Sequence, residues 1–337
     1  MRGWRGRPGC TLSNRAPGTR LSPSVCGTSA ALRSTHSLRI AARLNCRSAS
    51  VRVSAARPVK CGAGRSVRSM PRTNQRLRLL CLHSFQTDAW ILDSQLRLAG
   101  WTSDAGDGIG DLAELVTMDA PHVNAGGGGD DVAERLSAVL AARADRDGVE
   151  LARHPDRHSP RQWWDARAAV QAAKAGGGKS VIEYDGFDAS LEAVRRFVAS
   201  RGPFHGVLGF SQGSIMAAAI LAAQHRDRHT PLLLPPSLGI IISGFAPRDK
   251  SVWLGRDDGT LPYPTVHVIG LADKVVPPAA SRSLTQCFTD PLVVEVEGVG
   301  HRVPRLEGPH LDAVRAALVR AQDAAAAHLQ TPERSAM

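Results

Sequence analysis

The sequence predicts an α/β fold: a mostly parallel central sheet flanked by helices, with an inserted lid-like segment. Three observations carry that prediction. From Leu77 onward, short apolar runs alternate with stretches of helical period, the pattern of strands joined by crossover helices. The runs are too apolar to leave one face of the sheet in water. The apolar fraction, 43% of 337 residues, is enough for a full core.

Strands are predicted at Leu77 to Leu82, Leu115 to Met118, Gly206 to Phe210, Gly239 to Ser243, Val266 to Ile269 and Val293 to Val296. Helices are predicted at Trp90 to Leu98, Ser190 to Ser200, Gln212 to Gln224, Ala279 to Cys287 and Leu311 to His328. The second helix has Asp188 as its expected N-cap and Gly202-Pro203 just past its end, so both boundaries have a physical cause. Between the second and third strands lies a poorly periodic region, about 120–187, bracketed by Gly126–Gly129 and Gly176–Gly178. It is too long for a simple crossover. We expect a lid or cap over the carboxyl edge of the sheet, where α/β enzymes bind ligands. Within it, Gly176-Gly177-Gly178-Lys179-Ser180 imitates a phosphate loop. Ala173 stands where that motif needs its first glycine, and an Ala-rich stretch precedes it instead of a buried strand, so no nucleotide site is expected.

The formal charge of +11 suggests a nucleic-acid or membrane binder until it is mapped. Sixteen of the 42 Arg and Lys residues lie between Met1 and Arg76, where there is no Asp or Glu. The rest of the chain therefore carries 26 basic against 31 acidic residues. Residues 1–73, rich in Arg, Ser, Ala and Gly, read as a disordered organelle-targeting segment recognised by import machinery, with a cleavage neighbourhood near Val53-Ser54-Ala55-Ala56. The frequent Ser favours a chloroplast over a mitochondrion; a basic arm on a cytoplasmic protein is the alternative. Residues 74–330 form the expected α/β domain and 331–337 a flexible tail. No nucleic-acid partner is expected. Only Cys81 and Cys287 of the six cysteines lie beyond the basic segment, so no disulfide framework or CxxC metal pattern is expected there. No run reaches the roughly 18 apolar residues of a membrane helix.

Gly209-Phe210-Ser211-Gln212-Gly213 joins a predicted buried strand directly to a predicted helix. That context makes it a nucleophile elbow, in which a sharp turn lifts a serine hydroxyl above the sheet. Gly209 and Gly213 lack the Cβ atoms that would collide where strand and helix crowd together. A serine needs a base to take its proton, and the base needs an acid to hold its tautomer. Asp273 and His301 follow later strands, in the order Ser, Asp, His, and reach the same edge of the sheet as the elbow. Asp249, Asp257 and Asp258 are rival acids, and His310 is a rival base. One oxyanion donor is expected from the backbone N–H of Gln212 at the helix start, and the other from Phe85 in the loop after the first strand. Trp163 and Trp164 are candidates to line an acyl pocket.

These residues resemble the FSH-type serine hydrolases of the α/β-hydrolase superfamily. The likeness runs from Arg78 to about Leu306, through Leu80-Cys81-Leu82-His83, Asp119-Ala120-Pro121, Arg161 to Trp164, Tyr184-Asp185-Gly186 and Gly202 to Gly213. It continues through Ile242-Ser243-Gly244-Phe245, Gly270 to Pro277 and Gly300-His301-Arg302-Val303-Pro304. The resemblance implies an α/β-hydrolase fold, a triad falling on Ser211, Asp273 and His301, and hydrolysis of small-molecule carboxylic esters without a cofactor or metal. Ser84 stands where the family usually has Gly, the residue that a positive φ would call for. A thioesterase or acyltransferase would use the same parts with another leaving group or acceptor, and a binding module would keep the fold without the chemistry.

Overall fold

The computed structural model describes residues 75–123, 130–153, 159–166, 182–227, 231–249, 251–252 and 259–330. The expected targeting segment and tail, both glycine runs, and the rival acids Asp257 and Asp258 lie outside these residues. In chain order the elements are β1 (Leu77–Leu82), α1 (Ala89–Leu98), β2 (Ala113–Met118), β3 (His122–Val123), α2 (Asp130–Asp147), β4 (Arg161–Gln162) and α3 (Phe187–Arg201). They continue with β5 (Gly206–Phe210), α4 (Gln212–Arg226), β6 (Leu238–Ile242), β7 (Thr265–Gly270), α5 (Pro278–Thr285), β8 (Pro291–Val296) and α6 (Gly308–Gln330).

Six strands form one sheet in the order β2-β1-β5-β6-β7-β8, and every neighbouring pair is parallel. The side-chain alternation of β1 explains the layers. Leu77, Leu79 and Cys81 pack with Leu92 and Leu96 of α1 and with Val314 and Leu318 of α6. Leu80 and Leu82 face the other way, toward Ile215 and Ile220 of α4 and Val194 of α3. Both faces are thus covered, as the unbroken apolar runs required. After β1 the chain adds β2 on one side, and it later crosses to add β5 on the other. The strand order thus reverses between β1 and β5, and the carboxyl ends at such a switch point are where sheets of this kind bind ligands. Among the described residues, no helix is long and apolar enough to cross a membrane.

The structure corrects three local expectations. The N-cap of α3 is Gly186, at φ 84°, with Asp188 inside the first turn. A Cβ at residue 186 would come within 2.6 Å of His122 Nε2, whose ring bonds Gly186 O at 2.8 Å, so close approach selects glycine there. Asp188 still complements the positive end of the helix. The left-handed residue of the loop after β1 is Gln86, at φ 56°, and not Ser84. A serine at 84 therefore meets no backbone penalty. Thirdly, the poorly periodic region contains an 18-residue helix, α2. Ala133, Leu140 and Ala144 pack it on Ile91 and Leu98 of α1.

One buried group makes the fold acid-sensitive. Burial pushes the His267 imidazole of β7 down from 6.5 to about 3. Between those two values the unfolded chain binds a proton at this residue that the folded chain does not. Stability from this site is complete above pH 6.5 and is lost as pH falls through the window, by about 1.4 kcal/mol per pH unit per proton. His83 and His205, also pushed down by burial, act with the same sign. Urea midpoints between pH 6.5 and 4.5 should fall more gently in His267→Gln than in the wild type; equal slopes would contradict the assignment.

Candidate active site

The elbow is built by close approach. Ser211, the N-cap of α4, holds φ 56° and ψ −114°, a strained conformation that persists only where the surroundings impose it. They do so from several sides. Ser211 N donates to Ile242 O of β6 at 3.0 Å. The Ser214 hydroxyl lies 2.7 Å from both Gly209 O and Ile242 O, tying the first turn of α4 to two strand ends. A Cβ at Gly209 would strike Gly213 O. One at Gly213 would strike Leu82 O and come within 2.6 Å of His83 O. The first glycine therefore serves the turn itself, while the second lets α4 press against the end of β1.

Two further loops zip together on the same edge. Leu271 N donates to Val296 O at 3.0 Å and Ala272 N to Val299 O at 2.9 Å, which brings the segment after β7 against the segment after β8. As a result Asp273 and His301, 28 residues apart in sequence, meet. His301 Nδ1 donates to Asp273 Oδ2 at 2.8 Å, and His301 Nε2 accepts from the Ser211 hydroxyl at 3.0 Å. The other carboxylate oxygen, Oδ1, accepts from Val275 N at 2.9 Å and Val276 N at 2.8 Å. Burial by itself pushes the Asp273 carboxyl up. The hydrogen bonds from His301 and Val276 N outweigh it and hold the group below its ordinary value, so it stays ionised. The His301 ring lies against Phe210, centroids 5.0 Å apart, which limits its rotation.

The loop His83 to Thr87 leaves β1, and its first carbonyl lies close to Gly213 of the elbow. His83 is fully buried, and its Nε2 accepts from Ala120 N at 2.9 Å. The ring proton is therefore on Nδ1, where it donates to Ser84 O at 2.8 Å. Burial pushes this imidazole down, so it stays neutral. Thr87 Oγ1 also donates to Ser84 O, at 2.9 Å. Phe85, the expected second oxyanion donor, sits in the middle of this braced loop. Gln212, the expected first donor, begins α4, where no intrahelical carbonyl reaches its N–H.

Trp163 and Trp164, expected to line an acyl pocket, lie instead inside the core, with exposures of 0% and 2%. Large aromatic rings bury the most apolar surface there, and Trp164 stacks on Tyr184 at a centroid distance of 4.5 Å. Their polar atoms face the site's supports. The Gln212 side chain accepts from Trp163 N at 3.0 Å and donates to Trp164 O at 3.1 Å. The Trp163 indole N–H donates to His83 O at 2.9 Å.

The rival acid Asp249 is engaged elsewhere: it accepts from Tyr184 N at 2.7 Å and from Ser251 N at 2.8 Å. The rival base His310 lies in α6. Sequence reading missed Ser214, whose hydroxyl bonds carbonyls at the ends of two strands, and the amide of Gln212. Neither carries a local signal.

A family model described as Serine hydrolase (FSH1) matches residues 72–310. The chain is similar to Esterase OVCA2 of Homo sapiens, 30% identical over 229 residues covering 68% of this chain and 89% of that protein. Esterase OVCA2 of Bos taurus is 29% identical over 229 residues, with the same coverage of 68% and 89%. Rhodanese-like domain-containing protein 6 of Arabidopsis thaliana is 26% identical over 257 residues, 73% of this chain and 39% of that protein. Among solved structures, acyl-protein thioesterase 2 of Zea mays is 17% identical, covering 75% of this chain and 97% of that one at a TM-score of 0.41.

Proposed function

The chain belongs to the FSH1 family of serine hydrolases, and from that premise we propose that Ser211, His301 and Asp273 cleave acyl esters through an acyl-enzyme. The protein is a carboxylic-ester hydrolase. One observation carries it: the unbroken chain of hydrogen bonds from the Ser211 hydroxyl through His301 to Asp273, at 3.0 and 2.8 Å.

The steps follow from those contacts. Ser211 Oγ bonds to the ester carbonyl carbon while its proton moves to His301 Nε2. The carbonyl oxygen becomes an oxyanion, held by the Gln212 N–H and the Phe85 N–H, with the positive end of α4 behind it. Asp273 fixes the tautomer and stabilises the imidazolium. The bond from carbon to the alcohol oxygen then breaks, and His301 returns the proton to the departing alkoxide. Water, deprotonated by the same imidazole, attacks the acyl carbon and releases the acid and the free serine.

A fluorophosphonate probe tests this directly, because it traps an activated serine whatever the natural substrate. Stoichiometric labelling with the added mass on the peptide holding Ser211, together with hydrolysis of p-nitrophenyl esters, is the expected result. An unlabelled protein that still binds esters would be a binding module, and the proposal would be withdrawn. The same assay, run over acyl chains of increasing length and on CoA thioesters, would define the acyl and leaving groups.

A further inference from the structure

We infer that Trp163 is a positioning residue for the oxyanion site, a strut that fixes the spacing between the two segments carrying its donors. The inference rests on the reading of Gln212 and Phe85 N–H groups as those donors.

The two segments come from distant parts of the chain. Gln212 opens α4, and Phe85 lies in the loop after β1. An oxyanion site works only if both donors lie about 2.7–3.1 Å from one point in space, so the gap between them has to be rigid. Trp163 spans that gap with two different groups. Its backbone N–H donates to the Gln212 side chain at 3.0 Å, and its indole N–H donates to His83 O at 2.9 Å. His83 is itself held at both ring nitrogens, by Ser84 O at 2.8 Å and Ala120 N at 2.9 Å, and its ring lies 5.4 Å from the indole. The far side of the strut is anchored as well. Trp163 O accepts from the buried hydroxyl of Ser190, in the first turn of α3. Gln212 Nε2 closes a second bond to Trp164 O at 3.1 Å, so the amide is gripped at both ends.

A residue chosen only to fill space would need none of this. Any large apolar side chain buries area, but the indole also presents a donor to a carbonyl at its rim. That carbonyl, His83 O, is also one that a Cβ at Gly213 would approach to 2.6 Å, so its neighbourhood tolerates little drift.

Trp163→Phe tests the strut, since it keeps an aromatic ring and deletes the indole donor. We expect kcat to fall about tenfold, less than the 10²–10³ for outright loss of an oxyanion donor, with KM changed less than twofold. Affinity for a trifluoromethyl ketone, whose adduct with a serine places an oxyanion in the same site, should fall by a similar factor. A structural role alone would lower the melting temperature and leave both quantities unchanged, which would overturn the inference. A raised KM at unchanged kcat would also overturn it and return Trp163 to the acyl pocket. Should Trp163→Phe fail to fold, Gln212→Met decides the question: it keeps the backbone donor, cuts the ties to Trp163 and Trp164, and should show the same kcat-selective loss. Ser211→Ala separates the two levels. If it retains turnover, the triad reading fails; if it is inactive while Trp163→Phe turns over normally and binds the ketone normally, only the strut fails.

Discussion

Ser211→Ala is expected to lower ester turnover by about 10⁶-fold and to abolish fluorophosphonate labelling, with little change in stability. The substitution is unusually clean at this position. Alanine keeps the Cβ, so the strained backbone at φ 56° is neither relieved nor worsened. The Ser211 N bond to Ile242 O and the Ser214 bridge to two strand ends do not involve the lost hydroxyl. Only the contact with His301 Nε2 disappears. Residual catalysis of roughly 10³–10⁴ over water would reflect the oxyanion donors and substrate binding. Turnover within tenfold of the wild type, in protein whose circular dichroism is unchanged, would remove the nucleophile from the mechanism.

Asp273→Asn should cut turnover by about 10⁴-fold while leaving the fold intact, and the structure explains why so small a change costs so much. Oδ1 of Asp273 accepts from two backbone N–H groups, at 2.9 Å from Val275 and 2.8 Å from Val276. An asparagine has one acceptor oxygen, and those two donors will claim it. Its NH₂ group must then face His301 Nδ1, which in the wild type is the donor to Oδ2. The imidazole responds by placing its proton on Nε2, where it can no longer accept from Ser211. The variant should therefore react more slowly with the fluorophosphonate as well as with esters. The same change at Asp249, which bonds Tyr184 N and Ser251, leaves the His301 tautomer untouched, so a much smaller loss is expected there. Equal losses from the two variants would contradict the choice of acid.

How much of this was legible beforehand depends on the range of each interaction. All six strands of the main sheet were readable: β1, β5, β6 and β7 are buried along almost their whole length and are written as local apolar runs, whereas β2 and β8, read from shorter apolar runs, prove to be the half-buried edges of the sheet. Boundaries slipped by up to three residues where a close contact, and not a propensity, set the end, as at Gly186 against His122. Helix α2 was missed for a different reason. Its buried face is made of Ala133, Ser137, Leu140 and Ala144, and three of these four are small residues that give almost no amphipathic contrast. Within the site, Ser211, Asp273 and His301 could be named from strand ends and chain order alone. The tryptophans could be found but not understood, since residue type does not reveal which way an indole points.

Sequence by itself determined the α/β class, the parallel sheet, the elbow and the three side chains that meet at its edge. It could do so because apolar runs, glycines at tight turns and the order of strand ends are local properties of the chain. Tertiary structure alone decided how the site is braced: which amide holds which loop, that Trp163 lies in the core, and that Asp249 is engaged elsewhere. Those outcomes rest on hydrogen bonds between residues 48 to 80 positions apart, such as Gln212 with Trp164 and Trp163 with His83. Such bonds exist only once the strand order brings β1 beside β5, and no local pattern encodes them.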